Sequence, residues 1–147
     1  MEYLIQELRK LVKDSYALLL KISEKDSEKP ISEGKWSKKE IIGHLIDSTS
    51  NNHQRFVRAQ LESKFAFPGY EQDKWIKLQL YQGEPWSELI NLWMNYNLHL
   101  AHLVSAIPED NLIRTCKVGD KEPLTLLLLF EDYINHLKHH LDQLLEK

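Results

Sequence analysis

The chain has 147 residues, the size of one domain with one core. Hydrophobic residues at 42% can fill that core, and 28% charged residues with five Gly and five Pro exclude a disordered chain. A formal net charge of −3 argues against a nucleic-acid partner, and the lone Cys116 excludes both an intramolecular disulfide and a cysteine-rich zinc site.

The N-terminal MEYLIQELRKLVKD is amphipathic and mixed in charge, without the basic start and apolar run of a signal peptide. No stretch approaches the roughly 18 apolar residues of a spanning helix. A cytoplasmic protein with no membrane partner is therefore expected. Leu4, Leu8, Leu11, Tyr16, Leu18 and Leu19 fall at helical spacings and predict a first helix over about Glu2–Glu24, ending in the polar EKDSEKP. The second helix opens on the clearest local signal in the chain. Ser37 and Glu40 form a capping box, Trp36 and Ile41 a hydrophobic staple, and the helix should run to about Leu61.

Residues 63–84 form a long crossover, with a turn at Phe67-Pro68-Gly69-Tyr70 and a short helix around Asp73–Leu80. Phe65, Phe67, Tyr70, Trp75 and Tyr81 make it aromatic-rich. That suits a flap packed over the bundle, and it also suits a wall of a substrate pocket. Connections this long are often functional. A third helix begins near Pro85 and runs to about Ala106, before Pro108 stops it. The linker 107–124 carries a helical turn at Glu109–Leu112 and a tight turn at Gly119-Asp120, and Thr125 caps a fourth helix ending near Leu145. This order predicts an all-α four-helix bundle in a single domain, 1–147, with the long crossover between helices 2 and 3.

On a wheel of about 100° per residue, Phe130, Tyr133, Ile134, Leu137, Leu141 and Leu144 form the apolar stripe of the last helix. His136 and His140 share one flank of it, while His139 points to solvent. Their i, i+4 spacing stacks two imidazoles on one face, where both can reach a single ion. On the second helix, Ile41, Leu45 and Phe56 define the core face, and His44, Ser48, Asn51 and Arg55 make a polar stripe beside it. Thr49 and Asn52 lean towards the apolar side, and Asp47 falls on the back. An inward polar stripe either wastes burial or lines a pocket. His53, His99 and His102 read as partly buried, hydrogen-bonded histidines, with His99 facing inward beside Tyr96 and Leu100.

Trp36-Ser37-x-x-Glu40-x-x-Gly43-His44-Leu45-x-Asp47-Ser48, followed by Asn52-x-x-Arg55-Phe56, resembles the DinB/YfiT-like superfamily of bacterial metal-dependent enzymes. Gly69-Tyr70, Trp75 and the closing Tyr133-x-x-His136-x-x-His139-His140-x-x-Gln143 are similar to the same family. The resemblance implies an up-down-down-up bundle, a homodimer, and a divalent ion held by His44, His136 and His140. Related enzymes include thiol S-transferases and hydrolases.

Three neutral imidazoles leave a divalent ion an open position, the mark of catalytic rather than structural sites. Imidazole suits zinc, nickel, copper and iron, with zinc or nickel expected first. In a transferase reading, a small thiol binds the ion as thiolate and attacks an electrophile, while Ser48, Asn51, Asn52 and Arg55 hold its polar body. In a hydrolase reading, a hydroxide on the ion attacks an ester or amide and needs a carboxylate base. No carboxylate is well placed on the flank of His44, and Asp132, one turn before His136, lies further towards solvent; the lack of an obvious base tilts the reading to the transferase. A third reading is a stress-related binding module whose ion ties two helices together without turnover.

Overall fold

The computed structural model describes residues 1–146. Four long helices carry the fold: α1 (Glu2–Leu19), α3 (Lys38–Arg58), α5 (Trp86–Ser105) and α6 (Leu126–Leu145). Two short ones, α2 (Glu24–Ser27) and α4 (Gln72–Gln79), lie in the connections. Around the bundle the order is α1, α5, α3, α6, each packed on its neighbours. Lys38 near the start of α3 reaches the Leu144 carbonyl at the end of α6 (2.9 Å), so these two helices are antiparallel. Lys39 reaches the Gln82 carbonyl just before α5 begins, which sets α3 and α5 parallel. The bundle is thus up-down-down-up, and its parallel pair requires the long crossover.

The core is built from the apolar stripes of these helices. Leu8 and Val12 of α1, Ile41, Leu45 and Phe56 of α3, Leu89, Trp93 and Leu100 of α5, and Phe130, Leu137 and Leu141 of α6 are all buried. Each such side chain contributes about 1.5–3 kcal/mol by leaving water. Among the described residues, no helix is long and apolar enough to cross a membrane.

The first helix is shorter than its pattern. It stops at Leu19, and a new one-turn helix starts where the Ser23 hydroxyl accepts from the Asp26 amide (3.1 Å). The capping box of α3 forms as read: Ser37 accepts from the Glu40 amide (3.1 Å) while Glu40 accepts from the Ser37 amide (2.8 Å). Pro85 stands at the cap of α5 rather than in its first turn, and Thr125 caps α6.

Helical periodicity gave no sign of a small sheet. Strand β1 (Lys64–Phe67) of the crossover pairs parallel with β2 (Thr115–Val118) of the second linker, and β2 pairs antiparallel with β3 (Leu124–Thr125). The sheet takes the Phe67 carbonyl for the Gly119 amide (2.9 Å), so Phe67-Pro68-Gly69-Tyr70 runs open instead of closing a turn. Gly119 is left-handed (φ 56°) and turns the chain back through the Lys121 amide to the Val118 carbonyl (3.1 Å). The sheet thereby fixes the connections 68–72 and 118–121 over the outer groove between α3 and α6.

Candidate metal centre

The capping box sets the start of α3, and this places His44 in its second turn facing α6. There its ring meets those of His136 and His140, with centroids 5.1 and 4.7 Å away, and the latter two lie 4.6 Å apart. Ligand nitrogens of all three lie within 4.8 Å of one another. His44 Nε2 and His136 Nε2 face each other at 3.1 Å. Two imidazoles on one tetrahedral zinc ion would hold their nitrogens about 3.3 Å apart, so the rings already stand at ligand spacing. His44 is 1% exposed, and its Nδ1 is buried without a hydrogen-bond partner.

Neighbouring side chains fix the rings. His140 Nδ1 lies 3.1 Å from Gln143 Oε1, which makes it the donor and leaves Nε2 with a free lone pair for a cation. Gln143 in turn donates from Nε2 to His139 Nε2 (3.1 Å). Trp36, read as half of a staple, lies against His44 (5.1 Å) and His140 (6.4 Å), shielding one side of the cluster.

Burial, followed by the neighbouring imidazoles, presses the His44 pKa down to about 3. The same two causes bring His136 to about 4, against a small upward pull from Asp132. His140 is lowered as well, chiefly by burial. All three rings are therefore neutral near pH 7, the protonation state that metal ligation requires.

Behind His44, Gly43 gives the Tyr81 ring room to lie on the helix: a Cβ at Gly43 would stand 2.1 Å from the ring. From there the Tyr81 hydroxyl and the Gln79 amide both donate to Asp47 Oδ1, each at 2.7 Å. Asp47 Oδ2 is buried without a partner, and burial raises the pKa of this carboxyl.

His44 and His136 open on a cavity of about 480 Å³. Ser48, Asn52 and Arg55 line it from α3 and Asp132 from α6, with Tyr70, Asp120 and Lys121 on the overlying connections. Of the four predicted substrate residues, Ser48, Asn52 and Arg55 line the cavity and Asn51 does not; its amide donates to the Asp47 carbonyl (2.9 Å). Asp132 is exposed yet stands on the cavity wall, so its outward lean does not remove it from the site. The crossover is flap and wall at once: Phe65 and Phe67 pack on the core, while Tyr70 faces the cavity.

The remaining histidines divide. His53 is half-buried with Nδ1 3.0 Å from the Tyr96 hydroxyl, as expected. His99 does not face inward; it is exposed at the rim, its ring 5.4 Å from that of His53, because Asn97 and Leu100 take the core positions of α5. His102 is exposed too. Sequence reading did not single out the roles of Gln143, Trp36 and Lys121. Gln143 had a signal in its i, i+3 spacing from His140; Lys121 enters only through the sheet.

A four-helix bundle that gathers three neutral imidazoles from two antiparallel helices beside a polar cavity defines a class, that of bundles built around a metal-ligand set. The chain belongs to the DinB superfamily, whose sequence model matches residues 5–144. Among similar proteins, one of Geobacillus thermodenitrificans is 25% identical over 142 residues, covering 96% of this chain and 80% of that protein. One of Bacillus cereus is 27% identical over 141 residues, covering 92% and 78%. Both carry the name "Putative metal-dependent hydrolase". YfiT from Bacillus subtilis, described as a probable metal-dependent hydrolase with an unusual four-helix bundle topology, shares the fold. Its TM-score is 0.88 at 22% identity, over 99% of this chain and 83% of that one.

Proposed function

We propose that this chain is a divalent-metal-dependent hydrolase of small substrates, with His44, His136 and His140 as the metal ligands. One observation carries the reading: two of the three neutral imidazoles, His44 and His136, border a cavity that also holds a carboxylate, Asp132. The names of the relatives point the same way. A divalent ion on three imidazoles supplies Lewis acidity and lowers the pKa of whatever water or thiol takes its open position. Zinc and nickel suit this donor set.

The protein's own groups divide the remaining work. Asp132 accepts the proton of the attacking water, since its carboxylate stands on the same wall as His136. Ser48 and Asn52 hold the polar body of the substrate. Tyr70, packed against Trp75 with ring centroids 4.7 Å apart and planes tilted by 45°, limits water at the cavity mouth. Asp132 supplies the base whose apparent lack favoured a transferase, and hydrolysis therefore comes first.

A second reading, thiol S-transfer to an electrophile, draws on a separate observation. His140 borders a different cavity, of about 380 Å³, with Ile31, Trp36 and Ile41 on its wall. A polar and a more apolar chamber meeting at one triad suit a two-substrate reaction. Homodimerisation belongs to the proposal as well and is read by sedimentation. The test incubates metal-loaded protein with a panel of small esters and amides, and separately with a thiol plus an electrophile. Hydrolysis predicts turnover without thiol, lost in Asp132→Asn. Transfer predicts a thioether product and indifference to Asp132. Turnover in neither arm, at full metal occupancy, refutes both.

A further inference from the structure

Two long cations are buried on α3, and they are treated differently. Lys39, 2% exposed, is ion-paired with Glu24 and Glu28 and also donates to the Gln82 carbonyl. Arg55, 8% exposed, has no carboxylate partner within ion-pair distance among the described residues. Of its five donors, one reaches Asn52 Oδ1 at a long 3.4 Å, and Nε is buried with nothing to bond. Its guanidinium carbon lies 5.3 Å from the centroid of the Phe67 ring, which holds the plane in place without satisfying its donors. Asn52 is itself fixed through its amide to the Ser48 carbonyl (2.9 Å).

A buried charge without a counter-ion is strongly unfavourable, so a side chain in this state is best explained by a ligand that completes it. The guanidinium opens on the cavity that His44 and His136 line. From the orphaned donors and this placement we infer that Arg55 is the anchor for a carboxylate on the substrate, set apart from the group that reacts at the histidines. The inference rests on the reading of this cavity as a substrate site and adds its substrate class: small molecules bearing a carboxylate. A planar carboxylate matches the guanidinium fork with two parallel bonds. Asp120 and Asp132 also line the cavity, and their carboxylates repel a phosphate dianion more strongly than a single carboxylate charge.

The probes are succinate, its uncharged diamide succinamide, and inorganic phosphate, titrated into the full chain while the backbone amide resonances of the cavity residues are followed in every variant and the Arg55 Nε–H resonance in those that keep Arg55. Succinate is expected to bind about tenfold tighter than succinamide, the usual scale of a charge-assisted pair. The preference disappears in Arg55→Gln and is weakened but retained in Arg55→Lys, which keeps the charge and loses the fork. It persists in His136→Ala/His140→Ala. If elemental analysis shows no metal in the wild type while succinate still binds at Arg55, the metal reading fails and the anchor stands. Equal affinity for succinate and succinamide, an undiminished preference in Arg55→Gln, or tighter binding of phosphate than succinate overturns the carboxylate anchor.

Discussion

Helix α3 carries two polar clusters, one closed and one open. In the closed cluster the Thr49 hydroxyl lies 2.9 Å from that of Tyr133, Tyr133 donates to Asn97 Oδ1, and Asn97 donates to the Trp93 carbonyl (2.8 Å). The Thr49, Tyr133 and Asn97 side chains spend their hydrogen bonds inside the bundle, and beside them only the Trp93 indole Nε1 is buried without a partner among the described residues. The open cluster runs along the neighbouring flank and leaves His44 Nδ1, Asp47 Oδ2 and Arg55 Nε buried without partners. Both sit on the same helix and both are shielded from water, so burial alone does not separate them. What separates them is satisfaction. A closed network stabilises and specifies the core, whereas unsatisfied groups on residues that line a cavity, as His44 and Arg55 do, hold a place for something else.

The comparison can be broken from either side. The largest expected effect on folding is that of Gly43→Ala. A methyl there displaces the Tyr81 ring, with a loss of about 3 kcal/mol read by urea unfolding, and it releases Asp47 from its two donors. Next comes the closed cluster: Tyr133→Phe removes the hydroxyl that serves Thr49 and Asn97 and lowers stability by about 2 kcal/mol, with metal content unchanged. In the open cluster the pattern reverses. Gln143→Ala frees the His140 ring and weakens metal affinity about tenfold in a chelator competition, with little change in the melting point of the metal-free protein.

The most gradual effect is that of pH. His44 and His136 fold with pKa values near 3 and 4, below the 6.5 of an unfolded imidazole. The unfolded chain therefore takes up protons that the folded rings refuse. The stability these rings contribute is complete above pH 6.5 and is lost as pH falls towards 4. Melting temperatures of the metal-free protein between pH 7 and pH 4 should trace this decline, and the His136→Ala/His140→Ala variant should show a shallower one.

Much of this was legible in the residues. Helical spacing placed the four long helices, and the Ser37/Glu40 box located the start of α3 to the residue. The i, i+4 pair His136 and His140 and the polar flank of α3 pointed to these histidines, and the family resemblance joined His44, His136 and His140 into one ligand set. The limits have physical causes. A wheel ranks the faces of one isolated helix, so it set His99 inward when Asn97 and Leu100 were already filling that face of α5. It also sent Asp132 to solvent without knowing that a groove would be roofed beside it. The roof depends on strand pairing between residues about fifty positions apart, such as Phe65 with Cys116, and short strands in linkers carry no periodicity to reveal it.

The most direct test is elemental analysis of purified protein beside the His136→Ala/His140→Ala variant, both exposed to the same zinc and nickel and then desalted. Three imidazoles meeting at one point should retain close to one divalent ion per chain in the wild type and only background in the variant. Equal metal in the two would mean that the rings at 44, 136 and 140 do not share an ion.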